Sequence, residues 1–192
     1  MNKKILFLGV GGIGVSALAI AAKKLGAIVA GYDSKPNKLT TKLESLGVDI
    51  FSSPSEVEVA NFSMIVYSTA ITDSHPLLSK ARELGVESLQ RASFLAILME
   101  DFKQNIAITG THGKTTTSSV LATLLLKLDP SSSFVVGGLV KHTNSNIEVN
   151  GTNKLVIEAD ESDASFLHLN PSIAVVTNID LDHMSTYRNC YD

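Results

Sequence analysis

The chain has 192 residues, 44% of them hydrophobic, with 16 Lys and Arg against 19 Asp and Glu and a formal net charge of −3. This composition supports a packed core and excludes a disordered chain, while the acidic balance removes the electrostatic case for a nucleic-acid partner. A single cysteine, Cys190, excludes an internal disulfide and fits a reducing, cytoplasmic setting.

The first element is ambiguous on its face. Lys3 and Lys4 precede an apolar run from Ile5 to Ala22 whose only polar side chain is Ser16, the order of charged, hydrophobic and small residues found in a secretory signal. Gly9, Gly11, Gly12 and Gly14 argue otherwise, since each glycine in a helix costs about 1 kcal/mol relative to alanine. The run divides better into a strand from Lys4 to Gly9, a tight turn, and a helix from Ile13 to Lys24. Glycines there allow close approach, and a helix N-terminus offers free N–H groups and partial positive charge to a phosphate. Asp33 stands 19 residues beyond Gly14, at the end of a second strand, where its carboxylate can receive a ribose hydroxyl. No later segment is long and apolar enough to span a membrane.

Strands and helices then alternate, the pattern of a parallel α/β sheet. Strands are predicted at Ala27 to Tyr32, Asp49 to Phe51, Met64 to Tyr67 and Val86 to Leu89, and helices at Lys38 to Leu46, Pro76 to Leu84 and Ala92 to Met99. The polar bridge DFKQN, Asp101 to Asn105, marks a domain boundary near residue 103. A new strand, Ile106 to Thr109, begins a second unit with further strands at Phe134 to Gly137, Lys154 to Ala159 and Ile173 to Thr177. Pro130 to Ser133 and His142 to Gly151 read as loops.

The new strand ends in a second glycine turn, GTHGKTT, Gly110 to Thr116. Gly110 and Gly113 let backbone N–H groups curl around phosphate oxygens, Lys114 neutralises the β and γ groups, and the Thr115 hydroxyl suits Mg2+. His112 lies inside this cradle and can reach a nucleotide through its backbone. The turn is more compact than the common phosphate loop, whose first glycine would fall at Ile108. Glu158, at the end of the strand Lys154 to Ala159, emerges where a parallel sheet presents its carboxyl edge to ligands, and a hard cation takes oxygen ligands. Asp160, Glu161 and Asp163 compete for that role. His183, after another strand end and beside Asp180 and Asp182, is a candidate for a second metal or a phosphate contact.

Together these segments resemble the Mur ligase family, ATP-dependent enzymes that join amino acids to the UDP-sugar precursor of bacterial peptidoglycan. The resemblance rests on GVGGIG (Gly9 to Gly14), STAI (Ser68 to Ile71), RAS (Arg91 to Ser93), the cradle GTHGKTT, GGLVK (Gly137 to Lys141), EADESDASFLHL (Glu158 to Leu169) and TNIDLDHMSTY (Thr177 to Tyr187). It implies a Rossmann-like parallel-sheet domain over residues 1–103 that holds the UDP-sugar, followed over 104–192 by the beginning of a P-loop α/β ATPase domain. It implies ATP and Mg2+ as cofactors, UDP-N-acetylmuramate and L-alanine as substrates, and an acyl phosphate between them. By the same resemblance Gly110, Thr111, His112, Gly113, Lys114, Thr115 and Thr116 hold ATP; Thr115 and Glu158 hold Mg2+; and His183 places a second metal. Gly9, Gly11, Gly12 and Gly14 would lie at the diphosphate, Asp33 and Ser68 near the nucleoside, and Arg91 near the sugar-phosphate. Lys114, Glu158 and His183 form the expected catalytic set. A family member that recycles murein tripeptide is the alternative, as is a non-catalytic nucleotide-binding module. Because the family's chains continue through the rest of the ATPase domain and a third domain, the chain is expected to be an incomplete, inactive piece. The oligomeric state is left open.

Overall fold

Ile5, Leu6, Phe7 and Leu8 are all fully buried, and an unbroken apolar strand is what a parallel sheet covered on both faces demands. They form β1 (Lys4–Leu8), the centre of a five-stranded sheet with β2 (Ile28–Tyr32), β3 (Asp49–Phe51), β4 (Met64–Tyr67) and β5 (Glu87–Gln90). The order is β3-β2-β1-β4-β5 and every pairing is parallel. The computed structural model describes residues 3–160 and 165–181; Glu161, Asp163, Asp182, His183 and Cys190 lie outside them.

The apolar run that imitates a signal sequence splits where its glycines require. After β1 and the turn, α1 (Ile13–Lys24) buries every residue from Val15 to Ala22, packing on β1 and β2 and against α2 (Lys38–Ser45). A helix covered on more than one side has no polar face to display, which is why its sequence reads like a membrane or export segment. Among the described residues no helix is long and apolar enough to cross a membrane. Two further helices, α3 (Pro76–Leu84) and α4 (Arg91–Met99), follow β4 and β5. Phe94 of α4 meets Phe7 of β1 edge to face, with ring centroids 5.3 Å apart and planes at 86°, a geometry that aligns ring edge with ring face.

The chain divides into two compact units, Met1–Phe94 and Leu95–Asp192. The second is built on β6 (Gln104–Thr109), α5 (Lys114–Leu128), β7 (Ser133–Val140), β8 (Ser145–Glu148), β9 (Lys154–Glu158) and β10 (Ile173–Val176). Its strand order is β10-β6-β9-β7-β8, parallel except for the β7–β8 hairpin. That hairpin corrects the loop expected from His142 to Gly151. The turn closes through Asn144, whose φ of 50° is the left-handed conformation asparagine tolerates, and β8 then buries Ser145 and Ile147. With only two inward residues, β8 is too short to stand out as a strand in the sequence. Phe134, Val136, Val140, Ile106, Ile108, Val156 and Ala122 form the core between this sheet and α5.

Truncating the buried ring in Phe94→Ala should cost about 3–5 kcal/mol, the usual range for a lost core aromatic. Urea unfolding of the first unit's transition measures this, and a loss below about 1 kcal/mol would show that α4 does not anchor the sheet.

Candidate functional site

Two of the four longer helices with a defined N-cap lack a side-chain cap, and both begin in a glycine turn. α1 starts at Gly12 and α5 at Gly113, neither with a side-chain cap nor with an acidic residue in its first turn. By contrast α2 is capped by Asn37 and α3 by His75. First-turn N–H groups have no partner inside the helix, so an uncapped start at the end of a parallel strand is a place for an anion.

At the first turn, β1 and β4 are neighbours while the chain between them runs to the opposite side, so the turn sits at the switch in strand order where parallel sheets bind ligands. Gly9 and Val10 donate to Tyr32 O at 2.8 and 3.3 Å, which ties the turn to the end of β2. Gly11 N–H donates to Asp33 Oδ2 at 2.7 Å, and Lys35 N–H donates to Asp33 Oδ1 at 2.9 Å. Asp33 therefore braces the turn with one oxygen while standing where a ribose was expected. A Cβ on Gly11 would come within 2.6 Å of Asp33 Oδ2 and 2.7 Å of Asn37 Nδ2, so a side chain there would push both braces out of place. Arg91, the first residue of α4, lies over the same turn: a Cβ on Gly14 would lie 3.0 Å from its Nη1. Ser68 follows β4 and is half-buried, its carbonyl accepting from Ile71 N–H at 3.0 Å. Gly9, Gly11, Gly12, Gly14, Asp33, Ser68 and Arg91 thus share the carboxyl edge of one sheet.

Asn37 escaped the sequence reading. Its Oδ1 accepts from Leu39 N–H and Thr40 N–H, while its Nδ2 donates to Gly11 O at 3.0 Å. The pattern Asn37-x-x-Thr40 signals a helix start; nothing local reveals that the same amide reaches back to the glycine turn.

At the second turn, Gly110 has φ 122° and Gly113 φ 80°, conformations that disfavour any side chain. Lys114 folds back so that Nζ donates to Gly110 O at 2.8 Å and Thr111 O at 3.3 Å, which sets its charge within the turn. β9 lies beside β6 with Glu158 opposite Ile108. Thr115 Oγ1 donates to Glu158 Oε1 at 2.7 Å, and Gly137 N–H donates to Glu158 Oε2 at 2.7 Å. The buried Ser118 hydroxyl lies 3.4 Å from Oε2. Glu158 is therefore a carboxylate that meets Thr115. Thr116, next in α5, completes the helix's first turn. Thr115 and Glu158 bring two hard oxygens together, the atom type a hard cation takes. Among the described residues no three His, Cys, Asp or Glu side chains converge as a metal site.

His112 N–H donates to Asn178 Oδ1 at 2.9 Å, within the protein. Its ring Nε2 stands 4.0 Å from Asp180 Oδ2.

Comparison with known proteins identifies the family and the fold. Residues 4–103 match the family model for the Mur ligase family, catalytic domain, and residues 108–192 match the Mur ligase middle domain. Over all 192 residues the chain is 76% identical to UDP-N-acetylmuramate–L-alanine ligase of Francisella philomiragia, and it spans 42% of that relative's length. The solved UDP-N-acetylmuramate-alanine ligase of Thermotoga maritima superposes with a TM-score of 0.87 at 32% identity, covering 98% of this chain and 44% of that one. A murein peptide ligase of Psychrobacter arcticus gives 0.79 at 25% identity, covering 94% and 44%.

His75 makes the first site's surroundings sensitive to pH. Its Nδ1 caps α3 by accepting from Leu77 N–H at 3.3 Å, and its ring packs edge-on to Tyr32. Burial lowers its pKa below the ordinary 6.5, and an accepting Nδ1 also requires the unprotonated ring. A lowered folded-state pKa means the unfolded chain binds the proton more readily, so stability is full above about pH 6.5 and falls as pH drops through the folded value. Thermal melting across this range should show that loss, and His75→Asn, which caps without titrating, should flatten it.

Proposed function

The chain belongs to the Mur ligase family, and on that premise we propose that it carries the UDP-sugar site and the nucleotide cradle of an enzyme that joins L-alanine to UDP-N-acetylmuramate in peptidoglycan synthesis. The observation that carries the reading is the Thr115–Glu158 contact at 2.7 Å beside an uncapped glycine turn and Lys114. The L-alanine ligase is favoured over the murein peptide ligase because relatives of the first name match this chain far more closely.

ATP, held with Mg2+, supplies the phosphoryl group that converts the muramate carboxylate to an acyl phosphate, which the L-alanine amine then attacks with loss of phosphate. The chain's own residues bind and orient. The α5 N-terminus and Lys114 offset phosphate charge, and Thr115 and Glu158 present oxygens to the metal. Most of the rate then comes from positioning and from charge set in advance, since no side chain needs to become covalently bonded. Arg91 and the α1 N-terminus take the diphosphate of the UDP-sugar, with Asp33 and Ser68 toward its nucleoside. By family resemblance His183 belongs to the second metal. Nucleotide substrates and a lone cysteine support a cytoplasmic reaction, and this reading involves neither nucleic acid nor membrane as a partner.

Two measurements check it. Calorimetry on the chain should show UDP-N-acetylmuramate and MgATP binding independently, with Lys114→Met abolishing only the second; binding of NAD in place of the UDP-sugar would overturn the proposal. Gly137→Ala would set a Cβ 2.9 Å from Glu158 Oε1, displacing a metal-facing carboxylate from its backbone donor. The expected result is Mg2+-dependent nucleotide binding weaker by about ten- to a hundredfold, the usual effect of removing a metal ligand's support, with UDP-sugar binding unchanged.

A further inference from the structure

The segment after β10 grips the nucleotide turn through its polar groups. His112 N–H donates to Asn178 Oδ1 at 2.9 Å while Asn178 Nδ2 donates to His112 O at 2.8 Å, so one side chain holds both backbone groups of one residue. Thr177 Oγ1 adds a second donor to the same carbonyl at 2.7 Å. Thr111 N–H donates to Asn178 O at 3.2 Å, and Asp180 N–H donates to Thr111 Oγ1 at 3.0 Å. The turn presses so closely on this wall that a Cβ on Gly110 would come within 2.7 Å of Asn178 O.

The consequence follows from peptide geometry. In a planar trans peptide the carbonyl and the next N–H point in opposite directions. Pinning His112 O against Asn178 and Thr177 therefore turns the Gly113 N–H away from that wall. Gly113, with φ 80°, could otherwise rotate more freely than any residue bearing a side chain. We infer that Asn178 is a positioning residue for phosphate recognition, which fixes the peptide between His112 and Gly113 so that the cradle's donors begin at Gly113 and His112 contributes none. This inference rests on the nucleotide reading of the cradle.

The test uses the full chain and two readouts, backbone amide exchange without nucleotide and calorimetry with MgATP and UDP-N-acetylmuramate. Asn178→Ala should speed exchange at His112 and weaken MgATP by about tenfold, as expected when the binding-competent turn loses the two hydrogen bonds that hold it, with UDP-N-acetylmuramate affinity unchanged. Asn178→Asp keeps the acceptor for His112 N–H but replaces the donor by a charge that repels both carbonyl and phosphate, so it should slow exchange at His112 relative to alanine and still bind MgATP poorly. Should Asn178→Ala fold badly, Thr177→Val and Asn178→Asp carry the same readouts. Unchanged exchange at His112 overturns the inference. So does MgATP affinity within about twofold of the unaltered chain, or an equal loss for both ligands together with lower melting temperature, which is a structural effect. Failure of the unaltered chain to bind MgATP overturns the nucleotide reading and this inference with it, and is recognisable because it needs no variant.

Discussion

A helix N-terminus left uncapped at the carboxyl end of a parallel strand is the constraint on which both units of this chain depend. The first-turn N–H groups of α1 and α5 must be satisfied, and neither Gly12 nor Gly113 has a side chain with which to do it. An anion can satisfy them, and glycine gives it room to approach. Around each opening the remaining parts are arranged as supports. Asp33 and Asn37 hold the first turn from the side of β2 and α2. Lys114, Thr115 and the segment after β10 hold the second.

The sheets explain why these supports converge. Parallel strands all deliver their carboxyl ends to one edge, so the crossovers between them bring residues distant in sequence together there. Glu158 reaches Thr115 because β9 lies beside β6 in register, Glu158 opposite Ile108. Thr177 and Asn178 reach the turn because β10 flanks β6 on its other side, Val176 opposite Thr109. Gly137 comes to Glu158 from β7, next in the sheet. The ends of β9 and β10 and the middle of β7 thus meet around one glycine turn, and the second unit's site is a property of strand order.

The proposed division of labour between the units also has a physical basis. The first places a positive helix end and Arg91 at a turn braced by a carboxylate, an arrangement for holding a charged ligand still. The second gathers a lysine, a hydroxyl and a carboxylate that differ in charge and hardness, which suits transferring a phosphoryl group across a metal. Support at such sites matters as much as the ligating atoms, because a carboxylate or N–H that drifts by a fraction of an ångström loses much of its electrostatic value.

Much of this was legible in the chain. Continuous apolar runs at Ile5 to Leu8 and Leu155 to Ile157 announced buried parallel strands, and glycine clusters at their ends announced turns, because local backbone sterics and burial act over a few residues. The spacing also set Lys114 and Thr115 at a helix start and Glu158 at a strand end. It could not show that Glu158 meets Thr115, reveal β8, or show that Asn37 and Asn178 brace the two turns. Those outcomes depend on which strands lie side by side and which side chains then fall within hydrogen-bond reach, and pairing between segments far apart in sequence is decided by the packed tertiary structure, not by the local pattern of any one of them.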